Sequence, residues 1–284
     1  MPTRPRPHPA VDVLDGRPLR LTLGLRRLDL DAWLELDDDL DDVRRHKQRL
    51  LDAAHDEVVA VTPAGARGSA ETLHLVTAWI RAHHPTRLRP VDASLHPVDA
   101  AARLVAEDIC VLTRDTQGWR LSAASVCSPS RWRLRDKIGR SVSEIHAPVP
   151  DYAGWYSDAV DAALDRVTVD RPVWRTSWTI LDDPALFQQT AGHAPSPQPA
   201  PGDLTFRVER QTLRRLPGTR DLVFTIRTRR APLADVAADR ARADALARTL
   251  RSCSPELARY RGWAVTLPRV IEWLDDVAGI GSSA

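Results

Sequence analysis

The chain has 284 residues, 40 of them Lys or Arg and 38 Asp or Glu, for a formal net charge of +2. That balance argues against a nucleic-acid binder, which needs a marked basic excess, and 43% hydrophobic residues suffice for a buried core. Cys110, Cys127 and Cys253 are widely spaced and include no Cys-x-x-Cys pair, so neither a disulfide framework nor a zinc site is expected, and reduced thiols suit the cytoplasm.

In chain order, residues 1–18 are rich in Pro and Arg and read as a flexible arm without the apolar stretch of a secretory signal. Residues 19–284 read as a single domain, and no apolar run reaches the ~20 residues of a membrane span. Residues 33–59 begin acidic and end basic, with Leu40, Val43, Leu50 and Leu51 at helical spacing; a helix whose charges suit its dipole is expected. The acidic run at 37–42 is read as its solvated start rather than a metal site. A second helix is expected at 68–84, capped by Ser69 and burying Leu73, Val76 and Ile80, with His83 and His84 on the surface at its end. A third follows at 96–108. Glu107 and Asp108 then mark a helix-to-strand junction, where a cap or an ion pair is expected.

Strands follow at 108–114 and 119–127, joined by a turn at Gly118. A helix at 152–167, a strand at 172–180 and a Pro-rich loop at 191–203 come next. Strands at 204–213 and 221–230 share a short link and should be antiparallel; the remainder is helical. The fold class is therefore α+β, an antiparallel sheet of about five strands covered by helices. In the first late strand Arg207, Glu209 and Gln211 share one face. If Arg227 of the next strand joins them, that face is either solvated or lines a polar pocket.

Arg131, Arg133, Arg135, Lys137 and Arg140 precede the phrase SVSEIHAPVP. Such a cluster binds phosphate or the carboxylates of a cofactor. Pro148 and Pro150 stiffen the segment after His146; a rigid, non-helical setting is expected for this histidine. The residues alone leave it either a buried structural histidine or a ligand, as in a haem site with one axial imidazole and cations for the propionates.

The phrases AEDICVL, SVCSPSRWRLRDKIG, IHAPVPDY, WRTSWTI and FRVERQTLRRLPGTRDLVFTIRT occur in this order. Together they resemble the haem-dependent oxidative N-demethylase family over residues 33–260. The resemblance implies a PAS-like haem-binding fold and a haem b (iron) cofactor. It implies O2-dependent removal of a methyl group from a small amine, with electrons from a flavin and/or iron–sulfur reductase. No nucleic-acid or membrane partner is implied. The family's histidine falls on His146 as iron ligand, with Arg131 and Lys137 as propionate partners. Arg207 and Arg210 fall near the cofactor, Glu209 and Arg227 among catalytic groups, and Arg175, Ser177 and Trp178 near the substrate. The family phrase Arg-x-Asn-Trp is here Arg175-Thr176-Ser177-Trp178, so dimethylamine is not assumed as the substrate. His193 is the next candidate ligand. A PAS-like haem sensor or binding module without turnover is the rival reading.

Overall fold

The computed structural model describes residues 14, 16–19, 22–150, 152, 155–190 and 198–279. Most of the expected arm, and His193, lie outside them. Among the described residues there are ten α-helices and one seven-stranded antiparallel sheet.

The helices are α1 (Leu40–Ala53), α2 (His55–Val58), α3 (Ala66–His83), α4 (Pro97–Leu104), α5 (Val142–His146), α6 (Trp155–Arg166), α7 (Leu233–Val236), α8 (Arg240–Arg251), α9 (Pro255–Tyr260) and α10 (Thr266–Ala278). The strands are β1 (Arg26–Arg27), β2 (Val59–Val61), β3 (Asp108–Asp115), β4 (Gly118–Ser125), β5 (Val173–Leu181), β6 (Thr205–Arg215) and β7 (Leu222–Pro232). Their order is β1-β5-β6-β7-β3-β4-β2. The five expected strands are the long ones; β1 and β2 are short edge strands that raise the total to seven. Two or three residues carry too little alternation to be read, and only pairing with β5 and β4 defines them.

The first expected helix is shorter than its charge pattern suggested. Residues 33–39 are not helical, because Trp33, Leu34 and Leu36 are buried in the core while Asp37 and Asp39 turn toward Arg229 and Arg227. Nor does Ser69 cap α3. It lies inside the helix, and its Oγ donates to the Gly65 carbonyl at 2.7 Å, the back-bonding a buried helical serine uses. Gly65 sits against β4: a Cβ there would lie 2.5 Å from the Ser122 carbonyl oxygen, so only glycine allows this approach.

One sheet face is mainly apolar, with Arg210, Arg227 and Arg229 set between two apolar clusters. Ile109, Val111 and Val223 pack against α1, α3 and α4, and Ile180, Phe206 and Val208 pack against the C-terminal helices. The other face is divided. Cys110, Leu112, Leu121, Leu213 and Leu222 are covered by residues of α5 and α6. Further along β5 and β6, the same face becomes polar. That change from an apolar to a polar stretch leaves the recess described next. No described helix is long and apolar enough to cross a membrane.

Candidate functional site

Helix α5 is one turn long, and its start is locally encoded. Ser141 and Glu144 form a capping box: Glu144 N donates to Ser141 Oγ at 3.1 Å and Ser141 N donates to Glu144 Oε2 at 2.7 Å. The helix ends at His146, so this histidine is helical rather than on an extended segment. The prolines act after it, where Val149 N turns back to the His146 carbonyl at 2.8 Å.

The helix also orients the imidazole. His146 Nδ1 lies 2.8 Å from the Val142 carbonyl. A carbonyl only accepts, so Nδ1 carries the proton and Nε2 keeps its lone pair. No described residue hydrogen-bonds Nε2. The ring stacks on Tyr152, with centroids 5.3 Å apart and planes 19° apart. His146 stays exposed, yet the protein crowding its ring lowers its pKa by desolvation; the Val142 bond opposes this, and the charges of Arg175 and Lys137 add to it.

We expect NMR titration to place the His146 pKa below the ordinary ~6.5. The sign follows from linkage: as pH falls through 6.5 the unfolded histidine takes a proton that the folded one resists, so this group lowers stability on the acid side. A pKa above 6.5 would contradict this desolvation of the ring.

Around His146 the connection before α5 and strand β5 supply cations. Lys137 Nζ donates to the Ile145 carbonyl at 2.9 Å, at the end of α5, and burial lowers its pKa. Arg175 lies on β5, alternating with Ser177 and Thr179 on the site face; their partners on β6 are Gln211, Glu209 and Arg207. Ser177 therefore sits opposite Glu209. The Nε of Arg175 is buried without a partner.

Beyond Arg175 lies a recess of about 280 Å³, lined by Ser130, Arg131, Ser177, Arg207, Glu209 and Arg261 among others. Arg207 is only 2% exposed. Its Nε donates to Glu209 Oε1 at 3.2 Å, its Nη1 to the Leu186 carbonyl at 3.2 Å, and its Nη2 to the Ser128 carbonyl. Gln211 Nε2 holds the other Glu209 oxygen at 3.0 Å. Glu209 is thus fixed from two sides and faces the recess.

Asp108 ties this wall to the core. Its two carboxylate oxygens accept from Cys127 N at 2.8 Å and Ser128 N at 2.9 Å. Burial raises its pKa, opposed by Lys47, the two N–H groups and Arg207. The expected cap or ion pair at this junction is replaced by a longer-range contact: Asp108 holds the turn after β4 rather than the end of α4. Arg131, in the same loop, has a φ of +62° and is held there by its N–H on the Gln188 carbonyl at 2.7 Å. Left-handed backbone in a non-glycine residue costs about 1–3 kcal/mol and clusters where function needs it.

Two expected site residues lie elsewhere. The β6–β7 register pairs Arg227 with Arg210 and Glu209 with Thr228, so both arginines are on the opposite face from Glu209. Arg227 is 2% exposed, and its Nη2 donates to both Asp39 oxygens at 2.6 Å. Arg210 binds the carbonyls of Trp33 and Ala32 at 3.0 and 2.5 Å. Both tie the N-terminal segment to the back of the sheet. The Trp178 ring also turns to that side, stacking on Phe206 and Trp263 at 5.3 and 5.8 Å. Only the edge of the residue reaches the recess. Arg261 was not foreseen, because it follows α9 in an unremarkable stretch. The capping box before His146 was legible as S-x-x-E and would have predicted α5.

A family model described as haem-dependent oxidative N-demethylase, alpha subunit-like, matches residues 87–271. The chain belongs to this family. The family is haem-dependent, and haem is the cofactor. The matched residues include Arg131, Lys137, His146, Arg175, Ser177, Arg207, Glu209 and Arg261, but not α1 or α3. The side chains suit the oxidative N-demethylase cofactor. An imidazole whose Nδ1–H is held by a backbone carbonyl and whose Nε2 is free has the form of a metal ligand. Lys137 and Arg175 beside it, the latter with a buried orphan Nε, are available to carboxylates.

Proposed function

We propose that this chain is a haem b monooxygenase subunit that removes a methyl group from a small nitrogen compound. The observation that carries the reading is His146: neutral, Nδ1-anchored, with a free Nε2, in a chain of the oxidative N-demethylase family. His146 would hold the iron, and Lys137 with Arg175 would hold propionates. Bound haem supplies the oxygen-activating chemistry.

The chain's own groups orient and exclude. Glu209, fixed by Arg207 and Gln211, would hold a cationic amine or accept its proton. Arg207 closes the floor of the recess with its buried guanidinium. Overall, the N-methyl amine and one O2, with two electrons and two protons, give the demethylated amine, formaldehyde and water. A separate flavin or iron–sulfur reductase would bring the electrons; the description of the family as an alpha subunit supports such a partner. Among the described residues no group of three or more His, Cys, Asp or Glu is placed to hold a metal ion. The open antiparallel sheet with helices is compatible with a PAS-like architecture.

The substrate should differ from dimethylamine. Ser177 replaces the family's usual Asn directly across from Glu209, removing an amide from the recess. The test has two parts. Haem titration should give a saturable one-to-one Soret spectrum. With a reductase and an amine panel, formaldehyde release should favour a polar N-methyl compound over dimethylamine, and Ser177→Asn should shift that preference. Saturable haem binding without formaldehyde from any amine would favour a sensor instead.

A further inference from the structure

The recess contains more positive charge than its own carboxylates match. Arg261 Nη1 donates to the Trp178 carbonyl at 2.6 Å, and its guanidinium lies 4.9 Å from the Trp263 ring centroid and 5.9 Å from that of Trp178. No carboxylate among the described residues is in ion-pair contact with it. Its Nε is buried without a partner, and burial lowers its pKa, with Cys253 and Tyr260 opposing. A desolvated guanidinium lacking a carboxylate is costly.

Arg131 lies beside it. Gly262, at φ +73°, makes the approach possible: a Cβ there would lie 3.0 Å from Arg131 Nη1. Arg131 pairs with Asp182, but its own Nε is also buried and orphaned. Arg131, paired with Asp182, and Arg261, with no carboxylate contact, thus line the same recess. Glu209 lines the same recess, anchored through Arg207 and Gln211. The arrangement offers donors for an anion and an acceptor for a cation within about 280 Å³, enough for a small molecule.

We propose that the substrate is an N-methyl amino acid, its carboxylate held by Arg261 and Arg131 and its ammonium by Glu209. This rests on the demethylation reading for the reaction, but the carboxylate site stands on the geometry alone. Guanidinium and carboxylate pair through two parallel hydrogen bonds, and Arg261, which lines the recess, spends only Nη1 on the Trp178 carbonyl and keeps further donors. A bare dialkylamine satisfies Glu209 and leaves them unpaired. A site built around a polar group rejects analogues that lack it.

The test uses the full chain and isothermal titration calorimetry, so it reads binding without turnover. N-methylglycine, N-methylglycine methyl ester and dimethylamine are the probes. We expect N-methylglycine to bind about thirtyfold or more tightly than either of the others. Arg261→Gln should abolish that advantage while leaving dimethylamine binding within about threefold, and haem titration of the same variant should be unchanged. The ester comparison needs no mutant and holds even if Arg261→Gln folds poorly. Equal binding of acid and ester overturns the proposal, as does Arg261→Gln that leaves N-methylglycine binding intact. Loss of haem affinity in Arg261→Gln also overturns it, because the guanidinium is then a propionate partner. If haem fails to bind but N-methylglycine binds as expected, the demethylation reading falls and the carboxylate site remains.

Discussion

His146→Ala is expected to lower haem affinity by about a hundredfold or more and to shift the Soret band. Changes to groups that merely orient a metal ligand cost about 10–100-fold, and removal of the ligand itself should cost no less. The fold should survive. His146 ends a five-residue helix and stays exposed, while Val142 and Ile145 of the same turn carry its packing on Leu134, Leu164 and their neighbours. Circular dichroism should therefore match the parent. Added imidazole should restore part of the spectrum by filling the vacated position. A folded variant with an unchanged Soret band would place the iron ligand elsewhere, with His193 the next residue to replace.

Asp108→Ala is expected to destabilise the chain by about 3–5 kcal/mol. Asp108 is 1% exposed and accepts two backbone N–H groups that have no other acceptor. It also lies in the field of Lys47 and Arg207, themselves 1% and 2% exposed. Alanine leaves two buried donors unmet and two buried cations less compensated. Asp108→Asn keeps one acceptor oxygen and should cost less. Urea denaturation of the haem-free protein measures both, and a loss under about 1 kcal/mol for alanine would refute this account. The same change should loosen the Ser128–Arg131 wall, since Ser128 donates to Asp108 and accepts from Arg207. Binding in the recess should then weaken beyond what stability alone explains.

These two positions show how differently parts of the site could be read. His146 was legible because local signals converge on it: the basic run before it, the prolines after it and the family phrase around it. Its setting is helical rather than extended, because the S-x-x-E cap starts α5 and the prolines act only after His146. Asp108 was legible as a junction residue only. Its acceptance of Cys127 and Ser128 depends on the β3–β4 hairpin bringing the end of β4 back beside the start of β3.

What the sequence by itself determined is local. Alternation within β6 put Arg207, Glu209 and Gln211 on one face, because side chains in a strand alternate whatever the partner. The five long strands, most helices and the antiparallel β6–β7 pair follow from the same short-range rules. What only the tertiary structure decided is how one strand's faces match the next. Residues 216–221 link β6 to β7, with Arg220 at φ +68° and Leu216 N on the Asp221 carbonyl at 2.8 Å. That turn sets Glu209 against Thr228 and Arg227 against Arg210. A register one residue different would have reversed the result, since a single-residue slip moves every side chain to the other face. Arg227 therefore holds Asp39 at the back of the sheet, and Arg261, brought in from a distant part of the chain, joins Arg131 and Arg207 at Glu209's recess. Strand periodicity carries no information about such a contact, because it is made by packing between segments that share no local pattern.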